Sequence, residues 1–210
     1  MTTHTIREIC TVSPVIPVLV IKDLESAVPL GAALVAGGLR VLEVTLRTPC
    51  ALEAISAMSK IPNGIVGAGT VLNAEDAEKA AKAGAQFAVS PGATADLIAA
   101  CEALGLPLLP GAATASEAMD LLARGYTIQK FFPAEAAGGA PFLKSLASPL
   151  PQITFCPTGG ITPETAKEYL SLPNVSCVGG SWVAPTEILQ RQDWQAITEL
   201  ARKSIEDLSA

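Results

Sequence analysis

Residues 41–47 read VLEVTLR, and the way their side chains alternate decides the fold. Successive side chains of an extended strand point to opposite faces, so Glu43, Thr45 and Arg47 share one face and Leu42, Val44 and Leu46 the other. The apolar face calls for helical cover. The preceding residues 27–38, AVPLGAALVAGG, have apolar positions at helical spacing and end on a glycine pair that stops a helix. A strand covered by helices on its apolar face turns its charged face inward, toward the other strands.

The same unit recurs along the chain. Strand-like runs are VIPVLVI, VLEVTLR, IVGAGT, FAVSPG, PLLPGA, TIQKFFP, ITFCPTGG and VSCVGGSW, and their starts are spaced by about the length of one βα unit. Helix-prone segments such as AEDAEKAAKAGA (residues 74–85) lie between them, with Asn73 as an N-cap and acidic residues in the first turn. About eight units without a linker or a change of composition predict one (β/α)8 TIM barrel spanning residues 1–210 as a single domain. A doubly wound open sheet is the alternative. It is disfavoured because no G-x-G-x-x-G follows the first strand and no break divides the chain in half.

Bulk composition narrows the function classes. Of 210 residues, 50% are hydrophobic and 16% charged, which argues against disorder. The net charge is −6 and the cations are scattered, so there is no basic stripe for nucleic acid. The longest apolar run is too short for a membrane span and contains Pro17, and the N-terminus lacks the pattern of a secretory signal. The expectation is a soluble, cytoplasmic protein. Five separated cysteines with no CxxC pair read as buried, reduced thiols. The single histidine, His4, lies in a polar N-terminal stretch, so histidine-based metal sites and Ser-His or Cys-His catalysis are disfavoured. Acid–base work then falls to carboxylates, lysine or water.

Candidate chemistry collects at the strand ends, where barrel enzymes build their sites. Glu43 and Arg47 face inward by the alternation above. A buried Glu43–Arg47 pair is the bland reading, but desolvation offsets most of what such a pair gains. In TIQKFFPAE (residues 127–135) Lys130 shares its parity with Ile128 and Phe132 and also points inward. An amine among apolar groups loses the hydration that favours its charged form, and the free amine can attack a ketone to form an imine. Its bland reading is a salt bridge to Glu43 or a side chain reaching the rim. Lys60, Lys79, Lys82, Lys144, Lys167 and Lys203 fall in helix-like segments, which leaves Lys22 as the one rival amine. The glycine pairs Gly159–Gly160 and Gly179–Gly180, with Ser181, let backbone N–H groups approach an anion where such barrels hold phosphate. Thr70, Pro91 and Thr158 complete the rim, while Glu135 reads as loop structure.

These residues together resemble the 2-keto-3-deoxy-6-phosphogluconate (KDPG) and 4-hydroxy-2-oxoglutarate (KHG) aldolase family. The resemblance rests on AGGLRVLEVTLRT, GAGTVLN, AGAQFAVSPG, KFFPAE, FCPTGGI and CVGGSW, in family order. It implies a class I aldolase, needing neither metal nor cofactor, that cleaves KDPG to pyruvate and D-glyceraldehyde 3-phosphate, with KHG as a second candidate substrate. It also implies Lys130 as imine former and Glu43 as general base. Arg47 and Thr70 would hold the carboxylate, Pro91 and Phe132 would line the pocket, and Thr158 would lie near the reacting carbons. Gly159, Gly160, Gly180 and Ser181 would hold the phosphate. The implied architecture is the barrel with a short N-terminal helical extension, and the implied assembly is a homotrimer. Two departures bear on substrate range: PGAAT (residues 110–114) where the family pattern has PGIST, and the small Ala93. The alternatives are a 2-dehydro-3-deoxy-6-phosphogalactonate aldolase, another phosphosugar-binding barrel enzyme, or a silent sugar-phosphate binder.

Overall fold

The computed structural model describes residues 4–209, in which strands and helices alternate. After helix α1 (Ile6–Ile9) come β1 (Val15–Leu19), a 3-10 turn (Leu24–Ser26), α2 (Ala27–Ala36), β2 (Val41–Thr45), α3 (Ala51–Met58), β3 (Ile65–Gly69) and α4 (Ala74–Lys82). The chain continues through β4 (Ala88–Val89), α5 (Ala95–Leu104), β5 (Leu108–Leu109), β6 (Gly111–Ala112), α6 (Ala115–Ala123) and β7 (Ile128–Phe131). It ends with α7 (Gly139–Leu146), β8 (Thr154–Pro157), α8 (Pro163–Leu170), β9 (Val178–Gly180), α9 (Thr186–Gln190) and α10 (Trp194–Leu208). Among the described residues no helix is long and apolar enough to cross a membrane.

Each of the eight strand-like runs contains a strand, and α1 supplies the expected N-terminal helix. The fifth run differs from the expectation: it forms two short strands, β5 and β6, separated by Pro110. Proline has no N–H to give to the ladder, yet the Pro110 carbonyl still accepts the Lys130 N–H at 2.8 Å. All pairings between strands are parallel. The order is β5-β4-β3-β2-β1-β9 in one sheet and β6-β7-β8 in the other. An isolated bridge between Thr158 and Gly179 links the ends of β8 and β9. The architecture is therefore an α/β fold built on parallel strands.

Strand alternation produces two apolar clusters. One, between strands and helices, includes Leu42, Val44, Phe131 and Phe155. The other takes Ile16, Val41, Ile65, Val89, Leu109, Ile128 and Cys156 from the opposite strand face, and Ile9 and Cys10 of the α1 region join it. Gly67 on β3 makes room there, because a Cβ at this position would run into the Phe87 ring. Local signals set the helix starts. Asn73 caps α4 by accepting the Asp76 N–H at 2.9 Å, as its sequence predicts. Thr114, the last residue of PGAAT, forms a capping box with Glu117 at the start of α6. The departure from the family pattern thus leaves this helix start intact.

Candidate active site

β2 and β7 bring Glu43 and Lys130 together from 87 positions apart, with Lys130 Nζ 3.4 Å from Glu43 Oε1. Lys130 is 4% exposed and Glu43 3%. The other seven lysines, Lys22 among them, are exposed, so Lys130 is the buried amine of this chain. The salt bridge considered from sequence is thus present, and its burial marks it as more than a stabilising contact, since desolvation cancels most of the attraction in such pairs. Burial pushes the Glu43 carboxyl above the ordinary carboxylate value, and the neighbouring Lys130 charge opposes that push. Gly69 on β3 leaves room for this carboxyl, because a Cβ there would collide with it. The Phe132 ring lies under the amine, 5.3 Å from Nζ to its centroid.

The buried Glu43–Arg47 pair considered from sequence does not form. Arg47 lies two residues past the end of β2, where its side chain is exposed and its Nε donates to Thr70 Oγ1 at 3.3 Å. Thr70 itself has φ 59°, a left-handed conformation that a β-branched residue rarely adopts. Such strain is typical of functional rims. Thr45, on the same face as Glu43, instead ties β2 to β1 by donating its hydroxyl to the Leu19 carbonyl at 2.8 Å.

Thr158 is buried beside Gly179, which has no room for a side chain against it. Gly159 and Gly160 both take positive φ, 106° and 80°, a tight turn that residues with a Cβ rarely adopt. Gly180 lies at the end of β9, packed against Trp182, and Ser181 follows it, exposed. Pro91 is half-buried after β4, and its carbonyl crowds Gly111. A cavity of about 740 Å³ opens beside Ser181 and is lined by Val18, Val20, Lys22 and Gln190 among others. Neither Lys130 nor Glu43 lines it, so it flanks the glycine side of the site rather than the amine. Among the described residues no group of three or more His, Cys, Asp or Glu is placed to hold a metal ion.

A parallel-stranded α/β fold, a buried Lys–Glu pair, an arginine with a strained threonine, a glycine turn after β8 and a glycine pair ending β9 form one combination. A family model described as KDPG and KHG aldolase matches residues 6–200. The chain belongs to this aldolase family. The KHG/KDPG aldolase of Escherichia coli is 52% identical over 201 residues, covering 95% of this chain and 94% of the relative. The crystal structure of the KDPG aldolase of Zymomonas mobilis with 3-phosphoglycerate superposes with a TM-score of 0.92 at 52% identity, over 97% of this chain and 96% of that one. The KDPG aldolase of Legionella pneumophila, with pyruvate captured as a covalent carbinolamine intermediate, gives 0.91 at 50% identity, over 94% and 97%.

One contact at the edge of the candidate site had no sequence signal. Glu135, read as loop structure, accepts the Tyr169 hydroxyl at 2.7 Å from α8. The two residues are 34 positions apart, and neither belongs to an alternation or spacing pattern that would connect them. Phe132, by contrast, is where its parity with Lys130 puts it.

Proposed function

We propose that this protein is a class I aldolase that cleaves KDPG to pyruvate and D-glyceraldehyde 3-phosphate, and that it also cleaves KHG to pyruvate and glyoxylate. The observation that carries the reading is the buried Lys130 amine 3.4 Å from the Glu43 carboxyl. The carbinolamine in the Legionella relative supports it, because a carbinolamine is the first product of an amine adding to a ketone.

In the cleavage direction the Lys130 amine adds to the C2 carbonyl, and loss of water leaves a protonated imine. Glu43, acting through a water, takes the C4 hydroxyl proton as the C3–C4 bond breaks. The bond's electrons flow to the iminium nitrogen, leaving an enamine and releasing the aldehyde. Protonation at C3 and addition of water then free pyruvate and the amine. A carboxyl whose proton affinity is raised by burial is a stronger base for this work than a surface carboxylate. Arg47, steadied by Thr70, holds the substrate carboxylate through charge-assisted hydrogen bonds. Pro91 and Phe132 line the pocket, and Thr158 contacts substrate near the reacting carbons. Gly159, Gly160, Gly180 and Ser181 hold the phosphate, far from the broken bond, so that its binding energy positions the reacting atoms.

The same reading takes the strands as a closed eight-stranded barrel in one domain and the active protein as a cytoplasmic homotrimer. Closure is supported by β9 pairing with β1, by the Thr158–Gly179 bridge, and by β5 and β6 being consecutive pieces at one strand position.

Borohydride reduction in the presence of pyruvate should leave a stable adduct on the Lys130 peptide by mass spectrometry, absent in Lys130→Ala. An adduct on Lys22, or no adduct, refutes the assignment. Pyruvate release from KDPG, its galactonate epimer and KHG then ranks the substrates.

A further inference from the structure

We infer that Glu135 and Tyr169 are positioning residues for the phosphate end of the substrate, acting through the Gly159–Gly160 turn. The inference rests on the assignment of that turn to phosphate. An amide cradle works only if its N–H groups are held in place before the anion arrives, since any ordering left to binding weakens it. Glycines at φ 106° and 80° have no side chains with which to anchor themselves. The anchoring must come from neighbours.

Four contacts supply it. The Ala134 N–H donates to the Thr158 carbonyl at 2.9 Å and the Glu135 N–H donates to the Gly159 carbonyl at 3.1 Å, so the loop after β7 is zipped to the turn after β8. The Gly160 backbone lies directly on the Glu135 stem: a Cβ at Gly160 would sit 2.8 Å from Glu135 Cγ and 2.9 Å from its Cβ. The Glu135 carboxylate is in turn held by the Tyr169 hydroxyl at 2.7 Å. Tyr169 is 1% exposed and locked in the core, on the helix that begins three residues after Gly160. A closed path results, from the turn into α8, across Tyr169 to Glu135, and back to the turn. Burial together with the Glu135 carboxylate pushes the Tyr169 phenol up.

The strut touches neither Lys130 nor Glu43, so its loss should separate the substrates by whether they carry phosphate. In Glu135→Leu and Tyr169→Phe, which remove the acceptor and the donor in turn, KM for KDPG should rise by about tenfold, the scale of one hydrogen bond to a charged group. For unphosphorylated KHG, kcat and KM should stay within about twofold of wild type. Competitive inhibition by inorganic phosphate should weaken in parallel with the KDPG effect. Retention of the borohydride-trapped pyruvate adduct in both variants shows that they fold.

Wild-type inhibition by phosphate together with unchanged KDPG kinetics in both variants overturns the strut alone. Equal losses on KDPG and KHG also overturn it, because they mark a merely structural role. If wild type is not inhibited by phosphate and binds KDPG no better than KHG, the phosphate assignment fails and the inference falls with it.

Discussion

Glu43 is buried in the interior beside Lys130, and what burial does to its proton is measurable. Burial lifts Glu43 above its ordinary 4.5, so the folded chain keeps this proton at pH values where the unfolded chain has released it. More protons bound to the folded state means that this contribution to stability falls as pH rises above 4.5. Urea titrations of wild type against Glu43→Gln should show that trend in wild type and its absence in the variant. The proposed role of Glu43 as base has the opposite sign, because a carboxylate base must be ionised. The acid limb of kcat/KM should therefore lie above the ordinary carboxylate range, and Glu43→Gln should lose about 10²- to 10⁴-fold in kcat. Alternation along VLEVTLR and TIQKFFP was enough to place both residues on inward faces, because a strand side chain has only two directions available. Arg47 was less legible. It stands past the end of the strand, where alternation no longer governs direction, and it bonds to Thr70 instead of Glu43.

At the scale of elements, missing side chains shape the site as much as present ones. Gly67 and Gly69 on β3 face Phe87 and Glu43, and both partners occupy the space that a Cβ would take. Gly67→Ala should destabilise the fold by about 1–3 kcal/mol through overpacking, read as a lower urea midpoint with an unchanged slope. Gly69→Ala presses on the Glu43 carboxyl instead and should reduce turnover more than stability. The eight strand positions and the Asn73 cap were readable because each rests on local chemistry, namely period-two patterning and a short polar side chain beside a free N–H. The split of β5 from β6 at Pro110 shows how a residue without an N–H interrupts a regular run even though its carbonyl still accepts from Lys130. The Glu135–Tyr169 contact was not readable, since it joins a loop to a distant helix and exists only once both are packed.

For the whole molecule, the barrel and the trimer make separate claims. A homotrimer should sediment as about three times the 21.5 kDa chain, with no shift on adding pyruvate. A monomeric boundary at micromolar concentration would refute the assembly while leaving the chemistry at Lys130 untouched. The parallel α/β architecture was legible from recurrence, because strand and helix periods repeat along the chain. No sequence pattern speaks to the proposed assembly, because exposed apolar side chains such as Val20, Val28 and Met119 are scattered along the sequence.

The division of the lysines into one buried and seven exposed also has a practical side. Amine-coupling supports are too bulky to enter the interior and will bond to the surface lysines, leaving the interior amine unmodified. The enzyme can therefore be tethered through lysine chemistry although its proposed nucleophile is itself a lysine. The same contrast makes unmodified Lys130, after exhaustive surface acylation by a bulky reagent, a direct gauge of how many molecules in a preparation are folded.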